Sequence, residues 1–251
     1  MIIKSQQNPR LKQLKRLASR RERERSGHFL AEGEDLVLAA RAAGRTAVEG
    51  FRLAGSELGD SDFHDVAPDA LRSVSTLGSG TRLIGVYEQV FSEPAGPLCV
   101  YLHGVGDPGN VGAILRSAHA FGASCVALGP GCADPHSPKA VRASMGAVFS
   151  VALARVADPR ELPGERVALA ADAEEVLRGP GESPAPVAGL TLLVGAEREG
   201  LPADIRAACE RSARIPIASE SLNAAMAATV ALYEVTRRGK SAPASSRVPA
   251  S

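Results

Sequence analysis

The sequence has 251 residues, 45% hydrophobic and 23% charged, a composition of folded globular chains with one or two domains that excludes disordered, collagen-like and membrane-embedded classes. The net charge of +1 is a sum of unlike parts: residues 1–25 hold nine Lys/Arg against two Glu, residues 237–251 hold four Lys/Arg and no acid, and the body between them is net −10. A basic arm on an acidic body fits a polyanionic partner, held by phosphate and shape because no Trp, three Tyr and six Phe supply few stacking platforms.

At the N-terminus, MIIKSQQNPRLKQLKR has no apolar signal core, and no run of about 18 apolar residues occurs in the sequence. The expected location is a reducing cytoplasm, with no membrane partner. Asn8-Pro9 followed by Leu11, Leu14, Leu17 and Ala18 predicts a helix with Asn at the N-cap and Pro at N1. Its other face carries Lys12, Lys15, Arg16 and Arg20, either a solvated surface or a phosphate-binding one. His28 to Ala31 reads as a strand and Glu34 to Ala43 as a helix stopped by Gly44 at C′. Short apolar runs around 48–54, 63–66 and 83–87 extend this α/β layer. Phe91 to Pro97, with two Pro and a Gly, reads as a linker between domains at 1–90 and 98–238.

Beyond the linker, apolar strands at 98–103, 125–129, 148–154, 166–170 and 191–195 alternate with helical segments, the pattern of a parallel sheet covered on both faces. GPGESPAPVAG (179–189) is a loop by composition. The last helix is predicted from about Asn223 to Arg238 with Met226, Val230 and Tyr233 along one stripe, and 239–251 reads as a disordered tail.

Three stretches combine residue types that bear chemistry. LHGVGDPGNVGAILR (102–116) contains a G-x-G-x-x-G at Gly104, Gly106 and Gly109. A dinucleotide site needs an acid about 20 positions on, at the end of the second strand. That strand, Cys125 to Gly129, runs into Gly-Pro-Gly, and Pro108 removes an amide a phosphate cradle would use. What remains is a strand, a tight turn and a helix turning Ile114, Ala118 and Phe121 inward. Arg116 lies off that stripe, near the first turn, within reach of an anion at the strand ends. LLVGAEREGL (192–201) places Glu197 just past a strand's carboxyl end, where open α/β sheets bind ligands, although a plain strand-to-helix turn explains its glycines equally. In the third stretch, 214–226, Ser221 and Asn223 precede a helix, as simple N-caps also would. G-x-S-x-G, H-E-x-x-H and Walker motifs are missing. The five His are scattered, and Cys99, Cys125, Cys132 and Cys209 form neither a disulfide framework nor a zinc pattern, so hydrolase and metalloenzyme readings lack support and no metal is expected.

Together, in this order and spacing, DPGNVGAILRSAHAFG (107–122), LLVGAEREGL (192–201) and RIPI with SLNAAMAATVALYE (214–217 and 221–234) resemble the SpoU (TrmH) family of RNA ribose 2′-O-methyltransferases of the SPOUT superfamily. NPRLK (8–12), FLAEGEDLV (29–37) and Gly44 are similar to the family's L30e-like substrate-binding domain, so the resemblance covers roughly residues 5–238. It implies a parallel-sheet catalytic domain with a deep trefoil knot, a rare exception to unthreaded topology. It also implies bound S-adenosylmethionine and a homodimer that builds each active site across its interface. On matching positions, Gly195, Ile215, Ser221 and Leu222 would hold the cofactor, and Asn110, Arg116, Glu197 and Asn223 would form the polar active site. Lys139, Arg142 and Ser144, in SPKAVRASMGA, resemble a stretch near substrate and interface, and with Lys12, Lys15 and Arg16 would contact RNA.

The implied reaction suits these residue types. Methyl transfer from a sulfonium requires a 2′-oxygen held in line with the methyl group, which is chiefly positioning, and a hydroxyl gains nucleophilicity as its proton leaves. Arg116 would bind the phosphate beside the target ribose. A guanidinium does not normally give up its proton, which leaves a phosphate oxygen or Glu197 as acceptor. Compared with the family pattern, the segment Ile217 to Glu220 is short, and Ala224-Ala225 stand where Val-Ser is common. Ribosomal RNA is the preferred substrate over transfer RNA. A noncatalytic RNA-binding protein on the same fold is the alternative from another class.

Overall fold

The computed structural model describes residues 2–76, 80–178, 189–219 and 221–237. Helix α1 (Pro9–Arg16) starts where its capping residues dictate: Asn8 Oδ1 accepts the Arg10 amide at 2.9 Å, Pro9 takes the first helical position, and Leu11 and Leu14 are buried. Leu17 is buried just past its end, and Ala18 is exposed. Helix α2 (Arg20–Ser26), RRERERS, has no apolar stripe to announce it. It is anchored by Arg23, whose guanidinium donates to the Leu17 and Ala18 carbonyls at 2.8 Å and pairs with Asp134 at 2.7 Å, both side chains being buried.

The first sheet forms from β1 (His28–Glu32), β2 (Glu49–Leu53), β3 (His64–Val66) and β4 (Leu83–Glu88), with α3 (Glu34–Ala42) and α4 (Pro68–Arg72) between strands. Its order is β1-β4-β2-β3; β4 runs antiparallel to both neighbours, and β2 and β3 are parallel. Gly44, at φ +70°, ends the α3 region as expected.

The second sheet contains β5 (Leu98–Leu102), β6 (Cys125–Leu128), β7 (Ala152–Arg155), β8 (Glu165–Leu169), β9 (Leu190–Val194) and β10 (Arg211–Ala213), all parallel, in the order β10-β8-β9-β5-β6-β7. A parallel sheet is buried on both faces and needs continuous apolar strands, and Cys99 to Leu102 are wholly inaccessible. Helices α5 (Pro108–Ala120), α6 (Pro138–Ala143), α7 (Ala203–Ala207) and α8 (Ala224–Thr236) complete the layers. The chain leaves β5 toward β6 and β7, then returns to β5's other side through β8 and β9, which opens a crevice at the carboxyl ends of β5 and β9.

One expectation is corrected. The run 148–154 is not one strand: Ala147–Phe149 is a 3-10 turn, and only Ala152–Arg155 joins the sheet. The α8 stripe of Met226, Val230 and Tyr233 faces outward, because Ala224, Ala225, Ala228, Ala231 and Leu232 fill the core. Most of the 179–189 loop, Arg238 and the 239–251 tail lie outside the described residues. Among those described, no helix is long and apolar enough to cross a membrane.

The two sheets share one apolar core across the irregular 89–97 segment. Phe29 and Tyr87 from the first sheet pack on Phe149 at ring distances of 5.7 and 4.8 Å. His136 is buried against Phe29 and Phe91, with Nδ1 unpartnered and 3.9 Å from Asp134 Oδ1. Burial pushes its pKa down to about 4, against the attraction of Asp134. The folded chain therefore keeps His136 neutral where the unfolded chain, with an ordinary pKa near 6.5, binds a proton. Stability is expected to fall as pH drops from about 6.5 to 4. His136→Leu should flatten melting temperature against pH in that window relative to wild type; identical profiles would exclude the histidine as the cause.

Candidate active site

At the β5–α5 turn, Asp107 is the N-cap of α5: its Oδ1 accepts the Asn110 amide at 3.0 Å and its Oδ2 accepts Lys139 Nζ at 2.6 Å. The Lys139 ammonium, with help from that amide, holds the Asp107 carboxyl below the usual range. This fixes Asn110 in the first turn of α5. Its Nδ2 donates to Glu197 Oε1 in the loop after β9, and its Oδ1 accepts Asn223 Nδ2 at 3.1 Å. Asn223 is also the N-cap of α8, its Oδ1 accepting the Ala225 amide at 2.9 Å. The capping role foreseen for it is real, but it uses only the oxygen and leaves the amide nitrogen to reach Asn110. Three polar side chains from three distant stretches thus meet at the crevice.

Beside them lies a cleft of about 120 Å³, bounded by the ends of β8 and β9 and by the segment entering α8. Gly195, Ile215, Ser221 and Leu222 line it, with Glu197 at the side shared with Asn110. Leu169, Ala170 and Ala171, which carry no polar side chain to mark them in the sequence, supply another wall. Among the described residues the amides of Gly195, Ile215 and Leu222 donate to no protein acceptor, so the cleft offers apolar walls with open backbone donors. The loop after β9 folds back sharply: Gly200 N donates to Ala196 O at 2.9 Å, and a Cβ on Gly195 would lie 2.2 Å from the Gly200 carbonyl carbon. In the short segment after Pro216, Ile217 lines the cleft, and Glu220 lies outside the described residues.

Arg116 does not join this cluster. It occupies the third turn of α5, not the first, because the helix already begins at Pro108. Six residues beyond Asn110, it stands about 9 Å along the axis and about 120° around it. Its side chain is exposed and, among the described residues, has no hydrogen-bond or ion-pair partner. Its stripe on α5 is otherwise small, with Gly109, Ala113 and Ala120.

The expected RNA-contacting residues separate into groups. Lys12, Lys15 and Arg16 are exposed on α1 and unpaired among the described residues. Lys139 is exposed but tied to Asp107. Arg142 donates to Thr76 Oγ1 at 3.1 Å, and Thr76 in turn is bound to Glu32, so Arg142 links the two sheets. Ser144 is fully buried and its hydroxyl donates to the Val141 carbonyl at 2.7 Å; it packs α6 and presents nothing to a ligand. No group of three or more His, Cys, Asp or Glu fit to hold a metal occurs among the described residues.

The SpoU rRNA Methylase family matches residues 97–233, and the MRM3-like substrate binding domain matches residues 8–96. A Syntrophobacter fumaroxidans protein, ribosomal RNA small subunit methyltransferase G 2, is 37% identical over 192 residues, covering 72% of this chain and 36% of that protein. The chain spans between about a third and just over half the length of several curated relatives it matches, 36% to 56%. The Bacillus subtilis 23S rRNA (guanosine(2553)-2′-O)-methyltransferase RlmP, 28% identical, is matched over 93% of this chain and 98% of its own. Among solved structures, the AdoMet-bound rRNA methyltransferase from Sinorhizobium meliloti superimposes with a TM-score of 0.81 at 28% identity, over 93% of this chain and 96% of that one.

Proposed function

The chain belongs to the SpoU rRNA methylase family, and from that we propose that it transfers a methyl group from S-adenosylmethionine to a ribose 2′-hydroxyl of RNA, with ribosomal RNA as substrate. The observation that carries this reading is the junction of Asn110, Glu197 and Asn223 at the side of a cleft with unused backbone amides. RlmP, matched over nearly its whole length, is named for 23S rRNA 2′-O-methylation, which favours ribosomal over transfer RNA.

The cleft suits the cofactor in kind: Ile215, Ile217 and Leu222 offer apolar walls for a flat ring, and the Gly195, Ile215 and Leu222 amides offer donors to its polar edges. When bound, S-adenosylmethionine supplies an electrophilic methyl group on a sulfonium. The side chains then have positioning and proton work to do. Asn110, itself held by Asn223, fixes the Glu197 carboxylate at the crevice, where it can orient or accept the ribose hydroxyl proton, while Arg116 of a second copy of the chain holds the adjacent phosphate.

Residues 1–90 would be an L30e-like RNA-binding domain that presents Lys12, Lys15 and Arg16, and 98–238 the catalytic domain. We further propose a deep trefoil knot, for which the lining of the cleft by Ile215, Ile217, Ser221 and Leu222, between β10 and α8, and the packing of α8 on α5 give support. A homodimer fits the outward apolar stripe of Met226, Val230 and Tyr233, which neighbours the small-residue stripe of α5 through the Phe121–Tyr233 ring contact. A cytoplasmic enzyme acting on ribosomal RNA accords with this set.

Two measurements test the proposal. S-adenosylmethionine, but not NAD, should raise the melting temperature of the full chain. Mapping 2′-O-methyl groups should show one ribose methylated in wild-type ribosomal RNA and unmodified in RNA from cells lacking the gene. Unchanged methylation in both ribosomal and transfer RNA would sink it.

A further inference from the structure

A second cleft, of about 290 Å³, lies on the same carboxyl edge of the parallel sheet, between Arg20 of α2 and the ends of β6 and β7. Along the sheet its β6 and β7 walls are two and three strands from β9, which at about 4.8 Å per strand is about 10–14 Å, within the span of a few nucleotides. The basic arm reaches this edge because the buried Arg23–Asp134 pair clamps α2 to the loop after β6. Arg155, the last residue of β7, forms one wall. Its guanidinium carbon stands 4.3 Å from the centroid of the Phe91 ring, and among the described residues it pairs with no carboxylate. Stacking on a half-buried ring fixes the plane of the guanidinium without spending its hydrogen-bond donors. Arg20 pairs only at the rim, with exposed Glu24 through Nε at 2.8 Å. The one acid lining the cleft, Asp134, is already neutralised by Arg23, and nearby Asp158 pairs with Arg160. The cleft is therefore net positive and pre-shaped for a diester phosphate, which two guanidinium forks recognise well.

We propose that this cleft is a phosphate-binding subsite for the RNA strand flanking the target ribose, with Arg155 as its fixed contact and Arg20 as its mobile one. The inference rests on the reading of the chain as an RNA methyltransferase and extends it to the path of the substrate: from α1, past Arg20 and Arg155, to the crevice at β5 and β9.

The test is filter binding of the full chain to deproteinised ribosomal RNA across a salt series. Arg155→Ala should weaken binding about tenfold at low salt and make the log–log salt slope shallower by about 0.7. Arg155→Glu should be weaker still and Arg155→Lys should recover most of the loss. S-adenosylmethionine affinity, measured by calorimetry, should stay at the wild-type value in all three. Wild-type RNA affinity and salt slope in Arg155→Ala would overturn the subsite. So would Arg155→Lys failing like Arg155→Ala with melting temperature lowered in both, since Arg155 would then only staple Phe91. A wild-type chain that binds no S-adenosylmethionine would instead defeat the methyltransferase reading, whatever Arg155 does to RNA binding.

Discussion

Arg116→Ala is expected to lower methyl transfer about 10²- to 10³-fold, the range for removal of one preorganised charge-stabilising donor, and to leave S-adenosylmethionine affinity unchanged. The unchanged affinity follows from position, since Arg116 lies outside the cleft lined by Gly195, Ile215 and Leu222. The loss in rate follows from the charge balance near the ribose. Asn110, Glu197 and Asn223 bring two neutral amides and a carboxylate, and nothing among them can balance a backbone phosphate. Lys139, the nearest cation in the same network, is held by Asp107.

Along a rigid helix Arg116 points about 120° away from Asn110 and so away from its own cluster. In a dimer formed through the small stripe of α5 and the apolar stripe of α8, the guanidinium would serve the partner's cluster. A mixing experiment separates these cases. Arg116→Ala and Asn223→Ala, each inactive alone, should recover activity when unfolded and refolded together, since one of the two sites in a mixed dimer then has both residues intact. No recovery, with mixed dimers shown to form, would place Arg116 in its own subunit's site. Near-native turnover of Arg116→Ala alone would remove it from the mechanism.

How far the sequence disclosed this arrangement depends on the kind of signal each residue sends. Asn8-Pro9, Gly44 and the apolar strands of the parallel sheet act locally, and their elements stand where local chemistry puts them. Helix α2 was illegible because RRERERS has no apolar stripe and its buried anchor, Arg23 with Asp134, joins residues 111 apart. The strand expected at 148–154 failed since a buried 3-10 turn and a buried strand share the same apolar composition. The stripe on α8 was legible but its direction was not: alanines fill the core side where helices pack closely, so the larger side chains mark the surface. In the site, Gly195, Ile215, Ser221 and Leu222 were named through motif resemblance, and one cleft brings them together. Lys139's hold on Asp107, the wall at Leu169 to Ala171 and the burial of Ser144 have no local signature, since each depends on which helix end or strand end lies opposite.

Gly195→Ala should abolish useful cofactor binding, weakening S-adenosylmethionine about 10²-fold, the scale on which a 1 Å misplacement acts in a preorganised site. The added methyl carbon would stand 2.2 Å from the Gly200 carbonyl carbon, 2.3 Å from its oxygen and 2.5 Å from the Leu201 nitrogen. These are backbone atoms of a turn that the Ala196–Gly200 hydrogen bond and bridge hold closed, so no side-chain rotation relieves the overlap. The turn must open, moving Ala196, Glu197 and Gly200, which line the cleft, and pulling Glu197 away from Asn110. Stability should fall by about 1–3 kcal/mol, the usual range for an overpacked site. Gly106→Ala is the matched control. Its Cβ would meet only the Gly104 carbonyl at 3.9 Å, an ordinary contact, and its S-adenosylmethionine affinity should equal that of wild type. Calorimetry of the three proteins, with melting temperatures measured alongside, decides the matter. If Gly195→Ala binds the cofactor as tightly as Gly106→Ala, the loop after β9 does not shape the cofactor site, and the cleft beside Asn110 and Glu197 loses its assigned ligand.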